Sequence, residues 1–246
     1  MTQIVRGSVL ALVTSVSPGR GLMLYGSEAR GDMREDSDVD VLRVSDKRQR
    51  VESVGRMQVS SYSEAQLHKL GKQGSLFILH LITDGVILSD PWGVLRRLSE
   101  VYSPPKSYTP MFNSLREVLQ LLNLQEAAYL RVPRTLDRIL FFVARSYVFA
   151  LAANTSPCFS LPQLAEFGYP LALSAHRFRV AKKGDYDSYA RLLAAAAHEL
   201  DIDLGRPHST IDEAVRSADL SAPMLSRFAS DLCGSRIRSY VWLDDE

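Results

Sequence analysis

Cysteine is scarce in this chain. Cys158 and Cys233 are the only two. They form no CxxC pair and no metal-ligand spacing, which excludes a thiolate redox or zinc motif of that type. Two reduced thiols in an intracellular, cytoplasmic protein are the simplest reading. Long apolar runs are missing too: no stretch approaches the ~18 apolar residues that a spanning helix needs, so no membrane partner is expected. The apolar run Ile4 to about Val16 reads as a first helix and not as a signal peptide. A dominant charge sign is also lacking. Lys and Arg number 29 against 28 Asp and Glu, a formal net charge of +1, so any field toward a partner must be local. Repeats and low-complexity segments are absent. The five histidines, at 68, 80, 176, 198 and 208, are scattered and read as ordinary surface or core residues.

What remains is an ordinary globular composition, 46% hydrophobic and 23% charged. The 246 residues suit one large domain or two small ones. Residues 22–25 and 39–44 read as short strands flanking a polar loop, and "RMQVSSY" (56–62) as a third. "SEAQLHKLGKQ" reads as a helix capped by Ser63, "SLFILHLITDG" as a second closed by Gly85, and "VILSDP" as an edge strand ending at Pro91. "YSPPKSYTP" (102–110) is the candidate boundary. Beyond it helical period dominates: 112–130, 134–153, the short "FSLPQLAEF", 186–200, and 222 to about 240. The expected fold class is α+β, a small mixed-sheet domain over 1–104 followed by an all-helical domain over 105–246.

The chemistry concentrates in "LYGSEARGDMREDSDVDVLRV", residues 24–44. Asp38 and Asp40 are poor strand formers, and at i and i+2 they point to one face and repel. A cation between them relieves that repulsion. Mg²⁺, or Mn²⁺, is a hard ion that takes carboxylate oxygens and shares its other positions with water and phosphate. Upstream, a Gly26-Ser27 turn opening a helix offers N–H groups and a hydroxyl to an anion. Gly26 has no Cβ to obstruct a phosphate. Arg30 could reach a phosphate oxygen, and Gly31 suits the turn back. Together these residues suit a metal-bound triphosphate and phosphoryl or nucleotidyl transfer.

Gly26-Ser27, ten residues, then Asp38-x-Asp40 resembles the GSx10DxD signature of the DNA polymerase beta-like nucleotidyltransferase superfamily. "GSEARGDMREDSDVDV" is most similar to its minimal nucleotidyltransferase branch, with GS-x-ARG, a variable loop and SD-x-D. Directly matched residues cover about 20 positions, and similar element order extends to about residue 90. The resemblance implies that Gly26, Ser27, Arg30 and Ser37 hold the nucleotide. It implies that Asp38 and Asp40 are catalytic and bind Mg²⁺, and that an acceptor hydroxyl attacks the α-phosphate of an NTP, ATP first, releasing pyrophosphate.

One position departs from the family pattern. Members usually carry a third carboxylate on the next strand, and the natural place for it here is Gln58. An amide coordinates weakly and takes no proton near neutral pH. Glu52, Glu64, Glu117 and Glu126 are the alternative acids. A catalytically degenerate, nucleotide-binding regulator is therefore the alternative to an active transferase.

The acceptor is read from the helical half. Residues 131–183 hold eight Lys or Arg against Asp137 and Glu166, whereas 184–246 hold twelve acids against six Arg. Arg134, Arg138 and Arg145 share one face of a helix. They form either a solvated stripe or a wall for nucleotide phosphates or an RNA backbone. Among acceptors known for the family, an RNA or tRNA end and a protein hydroxyl, as in toxin–antitoxin pairs, stand ahead of a polycationic aminoglycoside, which a basic wall would repel. "VSSYSEAQL" does resemble the aminoglycoside group.

Overall fold

The structure is a computed structural model that describes residues 19–33, 37–46, 50–181 and 184–233. The expected helix over Ile4–Val16 lies outside the described residues. The chain is α+β, a mixed five-stranded sheet with helices, followed by a helical region. It divides into two compact units. One runs to Lys106 and takes in Pro157–Ser160; the other holds Ser107–Ser156 and the described residues from Leu161 on.

In the first unit β1 (Gly21–Tyr25) leads into a short helix α1 (Gly26–Arg30). Then come β2 (Val39–Val44), β3 (Arg50–Val54), β4 (Met57–Tyr62), α2 (Glu64–Lys72), α3 (Leu76–Asp84), β5 (Val86–Ser89) and α4 (Leu98–Val101). The sheet order is β3-β4-β2-β1-β5, so β5 is at an edge as its sequence predicts. Only β2 and β4 run parallel; the other pairs are antiparallel. Alternation along the strands gives each face its own layer. Leu22, Leu24, Val39, Val41, Met57 and Val59 pack on one face with Ala29. On the other, Tyr25 and Tyr62 bring their rings to 5.7 and 5.3 Å from Phe77 of α3. Helix α2 starts on a full capping box, with Ser63 Oγ accepting from the Gln66 N–H and Gln66 Oε1 from the Ser63 N–H. That pairing of signals is why the sequence marks its start so clearly.

Strand β3 was not expected from the sequence. Its residues "RVESV" mix charge into a short run, and it is paired on one side only, with β4. Glu52 therefore lies on a strand.

The second unit contains α5 (Thr109–Leu122), α6 (Glu126–Tyr129), α7 (Pro133–Ala153), α8 (Leu161–Glu166), α9 (Pro170–Val180), α10 (Tyr186–Glu199), α11 (Ile211–Ser217) and α12 (Pro223–Cys233). The single helix expected over 112–130 is broken after Leu122. Tertiary partners take the backbone groups that a continuous helix would use. Tyr189 Oη donates to the Leu122 carbonyl at 2.6 Å and Tyr186 Oη to the Leu124 carbonyl at 2.9 Å. The Gln125 N–H donates to His208 O, and the His208 N–H returns to Asn123 O, both at 2.9 Å. Helices α9 and α11 were also not anticipated. Of the closing helix expected to about Tyr240, the described part is α12; the remainder lies outside the described residues. Among the described residues no helix is long and apolar enough to cross a membrane.

Candidate active site

Sheet register brings the sequence-predicted residues together. Asp40 on β2 pairs with Tyr25 on β1 and, in parallel register, with Gln58 on β4. Directly paired residues project to the same face, so the Asp40 carboxylate and the Gln58 amide are neighbours. Asp38, just before β2, is exposed; Asp40 is half-buried and Ser37 is buried.

Tyr25 is followed at once by the turn of α1. Gly26 has φ +76°, a left-handed conformation that costs any residue with a Cβ. A Cβ placed there would lie 2.6 Å from Asp40 Oδ2. The glycine was expected to make room for a phosphate. Its neighbour in the structure is the carboxylate of the second motif aspartate, so the Gly-Ser turn packs against the strand that carries Asp40. Gly31, at φ +79°, closes α1, and the Asp32 N–H donates back to the Ser27 carbonyl at 3.0 Å.

Arg30, expected to bind phosphate, holds protein groups in this structure. Its Nε donates to Asp32 Oδ2 at 3.2 Å and its Nη1 to Asp84 Oδ2 at 3.0 Å; Nη1 also lies 3.2 Å from His80 Nε2. His80 Nε2 is 3.3 Å from Asp84 Oδ2. His80, read from sequence as ordinary, meets Tyr25 edge-on at 5.8 Å and stacks on Phe159 at 4.6 Å. Burial pushes the Asp84 carboxyl up, but the hydrogen bonds and charges of His80 and Arg30 outweigh it and hold the group below its ordinary value. Burial raises the nearby Cys158 thiol above its ordinary range. Nothing in the sequence signals this cluster, because its members are separated by as many as 54 residues between Arg30 and Asp84.

The candidate substitutes for a third carboxylate are placed as follows. Glu52 is on the wrong face. Asp40 aligns with Gln58 and Gln58 with Ser53, whereas Glu52 aligns with Val59. On that opposite face Arg43 donates to Glu52 at 2.9 Å, and Arg50 pairs with Glu52 as well. Glu64 accepts from Arg97 at 3.3 Å and lies 3.7 Å from Arg20 Nη1. Glu117 and Glu126 belong to the second unit, on α5 and α6. So do Arg134, Arg138 and Arg145, all on α7. Arg134 is exposed; Arg138 and Arg145 are half-buried, with Arg145 over the Phe141 ring at 5.7 Å.

Among the described residues no group of three or more His, Cys, Asp or Glu side chains could hold a metal ion. Asp40 lies in register with Gln58, and Asp38 two residues upstream is exposed; carboxylates of this kind would suit a hard divalent ion that brings phosphate and water on its other positions.

Residues 9–76 match the nucleotidyltransferase domain family. Among solved structures, the chain is similar to a nucleotidyltransferase-like protein from Exiguobacterium sibiricum 255-15. Identity is 11%, the match covers 98% of this chain and 83% of that one, and the TM-score is 0.32. No curated protein matches the chain.

Proposed function

We propose that the chain is a Mg²⁺-dependent nucleotidyltransferase that moves a nucleoside monophosphate from an NTP, ATP first, to a hydroxyl acceptor. The observation that supports this reading is the packing of Gly26 against Asp40, which brings the Gly-Ser turn against the strand that carries Asp40. Gly26, Ser27 and Ser37 would contact the nucleotide, and Asp38 and Asp40 would hold the ion. Bound Mg²⁺ (or Mn²⁺) would neutralise triphosphate charge and polarise the α-phosphate. The acceptor oxygen bonds to the α-phosphorus, the bond to the bridging oxygen breaks, and pyrophosphate leaves. The hydroxyl proton goes to one of the paired carboxylates or to water, because the Gln58 amide cannot take it. Arg30 acts behind the turn, through Asp32 and Asp84, rather than on phosphate.

The favoured acceptor is an RNA end, supported by the three arginines of α7; a protein hydroxyl, as in a toxin–antitoxin or defence setting, is the competing acceptor. The test is label transfer from each α-³²P-labelled NTP to total RNA, protein extract or an aminoglycoside panel. Wild type should label one class, and Asp38→Ala should lose at least about a thousandfold while keeping its fold. Equal labelling by the variant would overturn the assignment.

The register of Gln58 beside Asp40 supports a second reading, a regulator that binds NTP and releases no pyrophosphate. Under it, Gln58→Glu restores transfer. No pyrophosphate from either form, with NTP binding intact, would leave the regulator reading in place and show that more than Gln58 has been lost.

A further inference from the structure

We propose that Ser160 is a positioning residue for the Gly26–Ser27 turn, acting through Asp32. The proposal rests on the reading of that turn as the phosphate-binding element. The chain leaves the second unit after Ser156, contributes Pro157–Ser160 to the first, and re-enters the second at Leu161. Ser160 is 1% exposed and its Oγ donates to Asp32 Oδ2 at 2.6 Å, a contact across 128 residues of sequence. The Asp32 N–H in turn donates to the Ser27 carbonyl at 3.0 Å. A continuous path of two hydrogen bonds thus runs from Ser160 to the hydroxyl-bearing residue of the turn.

The Asp32 carboxylate hangs on one oxygen. Oδ2 accepts from Ser160 and from Arg30 Nε, whereas Oδ1 is buried with no hydrogen-bond partner among the described residues. A half-buried carboxylate with one shielded, unbonded oxygen depends on its remaining donors. Removing the Ser160 hydroxyl leaves Arg30 alone, and Arg30 also serves Asp84. Phe159, 3% exposed, anchors the strap by stacking on His80.

The test compares wild type, Ser160→Ala and Ser160→Thr, with Ser160→Cys as a milder step should the alanine form be unstable. Amide hydrogen exchange is read first, without nucleotide. In Ser160→Ala, peptides over residues 26–32 should exchange about tenfold faster, with peptides of α10 unchanged and Ser160→Thr like wild type. ATP with Mg²⁺ should then bind Ser160→Ala about tenfold more weakly, with transfer at saturating ATP largely kept. Unchanged exchange overturns the proposal. Faster exchange with unchanged affinity also overturns it, reducing Ser160 to a structural contact. Failure of wild type itself to bind any NTP would instead sink the nucleotide reading of the turn, and the positioning role with it.

Discussion

In the first unit, Arg30, Asp32, His80 and Asp84 meet within hydrogen-bond distance behind the Gly26–Ser27 turn. In the second, the corresponding buried polar contacts belong to phenols. Tyr129, Tyr186 and Tyr189 pack ring to ring, with centroids 4.6–6.2 Å apart. Their hydroxyls donate to Asp137 and to the Leu124 and Leu122 carbonyls. Neutral phenols that satisfy carbonyls near a helix end keep a fold in register at small desolvation cost. Several ionisable groups gathered behind one short turn cost more to desolvate and persist where position matters. The contrast separates a charged cluster behind the turn in the first unit from a phenolic cluster that satisfies backbone carbonyls in the second.

The largest predicted effect is at the packed turn itself. Gly26→Ala forces a Cβ into a left-handed backbone and against Asp40; transfer should fall about a hundredfold or more, whereas the strain alone costs only about 1–2 kcal/mol in a melt. Near-wild-type turnover would separate the turn from Asp40 and break the comparison. Next comes Asp84→Ala. It removes a buried partner of Arg30 and His80 and should cost about 3 kcal/mol in a denaturant titration. Tyr189→Phe in the other unit should cost about 1 kcal/mol. If the two losses are equal, the distinction between charged and phenolic clusters has no energetic meaning.

Acid stability sharpens the same contrast. The folded pKa of Asp84 lies below its ordinary value of 3.8, so the unfolded chain binds the extra proton. The contribution is present above that value and drains away as pH falls through the lower folded value. Asp84→Asn should flatten that part of the stability curve below about pH 4, read by urea midpoints at each pH. A curve parallel to wild type would show that Asp84 is not the group responsible. The smallest effect is expected at Glu52→Gln. It lies on the opposite face of the sheet, so transfer should be unchanged and stability should fall by less than about 1 kcal/mol. A collapse in activity would overturn the face assignment and restore Glu52 as the missing acid.

Much of this molecule was legible from sequence because the signals were short-range. The alternation in 57–62 and the Ser63 cap each lie within a few residues, and local sterics and hydrogen bonding suffice to read them; the spacing from Gly26-Ser27 to Asp38-x-Asp40 was read through its resemblance to a family signature. Gln58 was singled out as the position of the family's third carboxylate, and the strand register pairs it with Asp40. Other features depend on contacts distant in sequence. The face of Glu52 follows from pairing with β4, the break after Leu122 from tyrosines more than 60 residues away, and the tie from Ser160 to Asp32 from a strap 128 residues on. Arg30 shows the limit most clearly. Its position in the motif suggested a phosphate, yet Asp84, brought in by the packing of α3, offers a full carboxylate 3.0 Å away. Sequence determined which groups are candidates for the chemistry, since their types and spacings can be read along the chain. Only the tertiary structure decided which of them face the site and which are held by one another, since that depends on strand register and on chain segments that meet only after folding.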